Sequence, residues 1–389
     1  MSLSDCRPAS RAGHLAVERW PRFNRLLDDA LELPPRQRVR WMARLPRIDA
    51  DLKPVLGELL ARDAARDETD FLQTLPKLIA ALPGEAAAHD RIGPYRLERL
   101  LGAGGMGEVW LAERGHGRVA ARRVALKLPR PDRGLTAALA RERRILAGLD
   151  HPNIARLLGA GWSRRPGSAC TLPYLALEYV DGASIDLYCR RAVVSIPARL
   201  RLFVDVLRAV AYLHDRGIVH GDLKPSNLMV DAQGRVKLLD FGAAILRPEA
   251  AAACDLALRP VPAGLPEALT LRYAAPEQIR GEPAAAATDI HALGVVLYEL
   301  LCGEPPFGSR CASPASLRRA IVEAPVAAPS ALARDRIHQR WLRGALDAIV
   351  LRAVEKRPRD RHPSARAFAD AIDRHLRRLT HRAPPPCHW

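Results

Sequence analysis

The chain has 389 residues, 48% of them hydrophobic and 26% charged, so it is long enough for two domains or one large bilobal enzyme with an extension, and it falls in the soluble globular class. Seven cysteines, at 6, 170, 189, 254, 302, 311 and 387, form no Cys-x-x-Cys pair and no zinc-type pairing with histidine, and the longest apolar run, Ala292–Cys302, is too short to span a bilayer and contains Glu299. The net charge of +17 invites a nucleic-acid reading, but residues 1–90 balance fourteen basic against fourteen acidic side chains and the later excess is nearly all arginine, so a solvated basic surface is expected, with no specific nucleic-acid partner.

Residues 15–80 read as helical. Trp20, Phe23, Leu27 and Leu31 recur at helical spacing; Pro34-Pro35 opens a second helix carrying Val39, Met42 and Leu45; a third, capped near Asp49 or Asp51, sets Leu52, Val55, Leu56, Leu59 and Leu60 on one face, and Asp70–Leu82 adds a short fourth. No chemistry attaches to this small bundle, which could regulate or dimerise the chain, and Pro83–Asp90 reads as a linker. With the basic N-terminus lacking an apolar leader, a cytoplasmic protein without a membrane partner is expected.

From Arg91 the pattern turns to strands. Tyr95–Leu101 runs into Gly102-Ala103-Gly104-Gly105-Met106-Gly107, and Val109-Trp110-Leu111 continues as strand, where a dinucleotide-binding loop would need a helix. A glycine-rich hairpin of this kind lets backbone amides approach phosphate oxygens. Val124-Ala125-Leu126-Lys127 forms a third strand, followed by a helix over about Leu135–Gly148, and Tyr174–Glu178 is a buried strand that breaks into Tyr179–Gly182. Pro197–Arg216 is an amphipathic helix bearing Leu200, Phe203, Val204, Leu207, Val210, Ala211 and Leu213.

The chemistry is densest between His220 and Ala244. Asp222 could orient a hydroxyl and accept its proton, Lys224 adds a point charge beside it, and Asn227 and Asp240 offer the hard oxygen ligands that Mg²⁺ prefers. The residues between Asn227 and Asp240 read as strand, turn at Gly234, strand, which brings both ligands to adjacent ends of a hairpin.

These motifs, with Asp240-Phe241-Gly242, Ala275-Pro276-Glu277 and the helix beginning Thr288-Asp289, resemble bacterial eukaryotic-type (Hanks-type) serine/threonine protein kinases over about residues 95–379. The resemblance implies an α+β, bilobal protein-kinase-like fold preceded by a small all-α extension: residues 1–90 as extension and linker, a small lobe at 91–178, a large lobe at 179–379 and a disordered tail at 380–389. It implies ATP between the lobes, with phosphates under Gly102, Ala103, Gly104, Gly105 and Gly107, and adenine between Val109, Ala125 and Met229, bonded to the backbone of Glu178 and Val180 beside Leu177. Lys127 would contact phosphates and pair with Glu142, Asn227 and Asp240 would hold Mg²⁺, and Asp222 and Lys224 would serve the transfer. Thr270 would contact the substrate hydroxyl site, Glu277 would pair with Arg361, Asp289 would hold the catalytic-loop backbone, and the substrates would be proteins with serine or threonine acceptors.

One position departs from the family. Gly221 stands where many protein kinases carry the arginine that receives a phosphorylated activation-loop residue, and between Gly242 and Thr270 there is no serine, threonine or tyrosine. Activity independent of activation-loop phosphorylation is the expectation. The same His-Gly-Asp also resembles the aminoglycoside and choline kinase group, against which stand Lys224-Pro225, the full glycine motif, Ala275-Pro276-Glu277 and Asp289; a scaffold without catalysis is opposed by the presence of Lys127, Glu142, Asp222, Asn227 and Asp240.

Overall fold

The computed structural model describes residues 26, 30, 35–50, 52–53, 56–57, 88–104, 107–114, 122–129, 133–164, 171–246, 271–307, 311, 313–333 and 336–382. In the N-terminal stretch, helix α1 (Pro35–Ala43) begins at a proline, whose missing N–H is no loss in a first turn, and stops before Leu45. Leu26, Ala30, Leu52 and Leu56 are buried. Trp20, Phe23, Leu27, Leu31 and the expected fourth helix lie outside the described residues.

Strands β1 (Arg91–Ile92), β2 (Tyr95–Gly104), β3 (Gly107–Arg114), β4 (Arg122–Leu128), β5 (Leu157–Arg164) and β6 (Thr171–Glu178) form one antiparallel sheet in the order β1-β2-β3-β4-β6-β5. The two-residue β1 turns back at Gly93-Pro94 onto β2, so Lys127 falls on the fourth strand and not the third. Period-two alternation sends Tyr95, Leu97, Trp110, Ala112, Val124, Leu126, Tyr174 and Ala176 into one apolar core. The opposite parity leaves Val109, Ala125 and Lys127 on the other face, with Val109 opposite Lys127 and Ala125 opposite Leu177. The sheet curls: Gly93 N–H donates to Ser163 Oγ at 3.0 Å, and the Tyr95 and Tyr174 rings meet edge to face at 5.7 Å. Helix α2 (Arg133–Ala147) packs on β6 and β5 and buries Leu139, Ile145 and Leu146, the last two within the core of the helical part.

Beyond Glu178 the chain is mainly helical. Strand β7 (Gly182–Ser184), helices α3 (Ile185–Arg191) and α4 (Ile196–His214) and strand β8 (Ile218–Val219) precede the hairpin of β9 (Leu228–Asp231) and β10 (Val236–Leu238). Strand β11 (Ile245–Leu246) pairs with β8, and β7 pairs with β9. Then come α5 (Pro276–Ile279), α6 (Ala286–Cys302), α7 (Pro314–Glu323), α8 (Arg336–Leu342), α9 (Ala345–Ala353) and α10 (Ala365–Arg382).

A second core gathers around α6, every residue of which from Thr288 to Tyr298 is buried, as a helix apolar on all sides must be. Gly294 allows α9 to approach: a Cβ there would lie 2.7 Å from that of Ala353. The tail expected from 380 begins later than that, and residues 383–389 lie outside the described residues. Helix α10 runs to Arg382, because Thr380, His381 and Arg382 contain no breaker and the first proline comes at Pro384.

Candidate active site

The β9–β10 hairpin fixes two of the chemically active side chains relative to each other. Asn227 closes a 3-10 turn (Pro225–Asn227) at the start of β9, Asp240 follows β10, and Leu239 N–H donates to the Asn227 carbonyl at 2.9 Å, tying the ends together. Asp240 adopts φ +58°, the left-handed region that an L residue enters at a cost of about 1 kcal/mol. Its Oδ1 then accepts from the Gly242 amide at 3.2 Å and from Lys127 Nζ at 2.7 Å.

Lys127 is the meeting point. Besides Asp240, its ammonium reaches Glu142 Oε1 and Oε2 at 2.9 and 2.8 Å, so α2, β4 and the end of the hairpin converge on one buried cation. Burial alone would depress the Lys127 pKa; the carboxylates of Asp240 and Glu142 outweigh it and hold the amine charged well above its ordinary range. Burial likewise opposes the Asp240 charge, yet Lys127 and the Gly242 amide bring its pKa down to about 2. Glu142, the most deeply buried of the three, moves upward because burial exceeds what Lys127 returns, and its Oε1 also accepts from the Phe241 amide at 3.3 Å.

Asp222 sits in the loop after β8. Lys224 Nζ bonds its Oδ2 at 2.8 Å, and Asn227 Nδ2 donates to its carbonyl at 2.8 Å, while Oδ1 is buried with no hydrogen-bond partner among the described residues. An orphaned carboxylate oxygen is costly unless a donor arrives. The loop is held from α6: Asp289 accepts from the amides of His220 (2.8 Å) and Gly221 (2.9 Å), and His214 Nε2 lies 2.8 Å from the same carboxylate. His220 is fully buried, its ring against the Leu239 carbonyl at 3.0 Å and the Phe241 ring at 5.2 Å.

Farther out, Glu277 and Arg361 form a buried two-bond ion pair at 2.7 Å in each bond, Thr288 Oγ1 donates to Glu277 at 3.0 Å, and Arg361 also bonds the carbonyls of Glu355 and Ala287. Val109, Ala125 and Met229 are half-buried within otherwise buried stretches of strand. Glu178 N–H donates to Arg156 O at 2.8 Å, and its carboxylate is clamped by Lys237 at 2.8 Å; Val180 follows in the crossing to β7. Gly102, Ala103 and Gly104 pair with Val109, Glu108 and Gly107 across the β2–β3 hairpin. A Cβ added at Gly102 or Gly104 would meet nothing within 4 Å, so neighbouring protein does not demand glycine at either place. Gly105 and Thr270 lie outside the described residues.

The sequence reading missed four contributors: His214 under Asp289, Thr288 on Glu277, Lys237 on Glu178, and Gln278, whose amide donates to the Gly221 carbonyl at 3.2 Å. Gln278 and Thr288 carried a local signal, Gln278 directly after Ala275-Pro276-Glu277 and Thr288 directly before Asp289, each at the third position of its helix.

Residues 95–366 match the family described as the protein kinase domain. The chain is 35% identical over 274 residues to "Serine/threonine-protein kinase PknB" of Mycobacterium tuberculosis (strain ATCC 25618 / H37Rv), a match covering 70% of this chain and 41% of that protein. It is 35% identical over 285 residues to the protein of the same name from Mycobacterium leprae (72% and 43%), and 33% identical over 289 residues to "Probable serine/threonine-protein kinase PknB" of Bifidobacterium longum (72% and 39%). The chain belongs to the protein kinase domain family. It spans about two fifths of the length of these relatives.

Proposed function

We propose that this chain transfers the γ-phosphate of ATP to serine and threonine hydroxyls of proteins. The observation that carries the reading is the buried Lys127 ammonium shared by Glu142 and Asp240, of which Asp240 ends the hairpin whose other end, Asn227, holds the loop of Asp222 with its Oδ1 unpartnered among the described residues. A fixed cation, an ionised carboxylate and an acid lacking a donor are what phosphoryl transfer by positioning and electrostatics requires. The relatives named as serine/threonine kinases favour protein hydroxyls over the small acceptors of the aminoglycoside and choline group.

The residues suit ATP and Mg²⁺. Open space on the Cβ side of Gly102 and Gly104 leaves room for phosphate oxygens, and Val109, Ala125 and Met229 offer a partly exposed apolar lining for adenine. The Glu178 N–H is engaged by Arg156, so the Glu178 carbonyl and the Val180 backbone are the groups that would bond the base. Asn227 Oδ1 and the Asp240 carboxylate, ionised at any physiological pH, are a hard-oxygen pair that would hold Mg²⁺, which when bound neutralises phosphate charge. Asp222 Oδ1 takes the acceptor hydroxyl's proton, while Lys224 keeps Oδ2 occupied and orients the carboxylate. Glycine at 221 supplies no cation for a loop phosphate, and we extend the proposal to activity that needs none there.

Incubation with Mg²⁺ and γ-labelled ATP, offering a generic basic protein beside aminoglycosides and choline, tests the reading. Phosphoserine or phosphothreonine is expected, undiminished after phosphatase treatment of the enzyme. Label confined to the small molecules would replace the proposal with the alternative.

A further inference from the structure

Five backbone groups of His220, Gly221 and Asp222 are hydrogen-bonded, and the partners come from α6, from α5, from the turn at Asn227 and from the loop itself. Asp289 on α6 takes the amides of His220 and Gly221; His220 Nδ1 faces the Asp222 amide at 3.4 Å; Asn227 Nδ2 holds the Asp222 carbonyl. The remaining group, the Gly221 carbonyl, accepts from Gln278 Nε2 at 3.2 Å. That carbonyl belongs to the peptide plane that carries Asp222, so fixing its direction fixes the residue that follows. Gly221 itself has φ +76°, and a Cβ there would stand 3.0 Å from the Ala243 carbonyl, so its own side cannot supply a tether.

Gln278 is well placed to be that tether. It is the third residue of α5, and its Oε1 accepts the Ala275 amide at 2.9 Å, which fixes the rotamer and turns Nε2 outward. Its neighbour Glu277 is locked by Arg361 and Thr288. The amide of Gln278 therefore joins a rigid anchor to a loop that has no side chain at its second position.

We propose that Gln278 is a positioning residue, a neutral brace that holds the Gly221–Asp222 peptide in register and takes the place of a phosphate link between the end of the activation segment and the catalytic loop. Gln278 does not touch substrate; it acts through Asp222. The inference rests on the phosphotransferase reading above. It predicts an effect on turnover and none on nucleotide affinity, since among the described residues the Gln278 side chain bonds only Ala275 and Gly221, neither of them proposed for ATP.

Two variants separate the two bonds. Gln278→Met is close in shape and removes both; Gln278→Glu keeps an acceptor for the Ala275 amide and removes the donor to Gly221. Both are expected to lower kcat about tenfold with the KM for ATP within twofold of wild type, and both are expected to speed amide exchange in peptides covering residues 218–223. Wild-type kcat in both, or a loss in Gln278→Met alone, would overturn the proposal, because the second result assigns the effect to the Ala275 cap. A parallel rise in the KM for ATP would reduce Gln278 to a general structural contact and overturn it as well. If the wild-type protein transfers no phosphate to any acceptor, the kinase reading falls and the role in turnover with it; exchange rates then still show whether the brace holds the loop.

Discussion

Lys127 shows how a single cation can make a site out of residues that would otherwise repel. Asp240 makes the charge on Glu142 costlier, and the ammonium between them attracts both carboxylates, an attraction that outweighs burial at Asp240 and not at Glu142. Replacing Lys127 by methionine leaves two carboxylates facing each other, one wholly buried, and is expected to lower phosphate transfer by a factor on the order of 10² or more and stability by about 3 kcal/mol. Adding Glu142→Gln to that variant is expected to restore most of the stability and none of the transfer, as read by chemical denaturation beside the kinetic assay. A Lys127→Met protein as stable as wild type would contradict the coupling. At this scale the sequence was legible where a motif fixes both identity and spacing, as at Lys127, Asp222, Asn227 and Asp240. His214 and Lys237 were not, because each acquires its meaning from a carboxylate 75 or 59 positions away.

Among the elements, α6 bears the largest burden. It carries Asp289 to the His220–Asp222 loop and Thr288 to Glu277, and it buries His291 completely with neither ring nitrogen partnered among the described residues. Burial first, then the charges of Arg361 and Lys356, hold the His291 pKa well below the ordinary histidine range. The folded protein therefore keeps His291 neutral while the unfolded chain binds a proton below about pH 6.5, so stability is lost as pH falls through that value, with a slope of up to about 1.4 kcal/mol per pH unit. His291→Phe is expected to flatten the stability profile by that amount between about pH 6.5 and 5; an unchanged profile would show that the imidazole is solvated. Element types and faces were readable from periodicity: every apolar position expected on the helix over 197–216 is buried in α4, which also buries Ile196, Val206 and Ala209 and ends two residues early at His214. Boundaries set by what the sequence lacks were harder to read, and α10 overran its expected end because nothing before Pro384 stops it.

For the whole molecule, all the large apolar clusters described are built from residues between Ile92 and Ile372. None draws on the N-terminal stretch, although Leu26, Ala30, Leu52 and Leu56 are buried there. A chain of residues 88–389 is thus expected to unfold cooperatively at nearly the full-length temperature and to retain phosphate transfer; loss of folding would mean that the extension completes the core. Among the described residues, no helix is long and apolar enough to cross a membrane. What remained beyond the sequence at this scale was the route by which α5 reaches the loop that carries Asp222. Glu277 and Arg361 were named as a pair, but the step from α5 to Gly221 runs through an amide 57 residues from its acceptor.

The central claim is that Asp222 serves the transfer and not the binding of nucleotide. The most direct test is single-turnover transfer from γ-labelled ATP to a basic protein by wild type and Asp222→Asn, with ATP affinity measured on the same samples. The account predicts a loss on the order of 10² or more in transfer, with affinity within about threefold of wild type. Transfer at the wild-type rate, or a loss matched by an equal loss of ATP affinity, would contradict it.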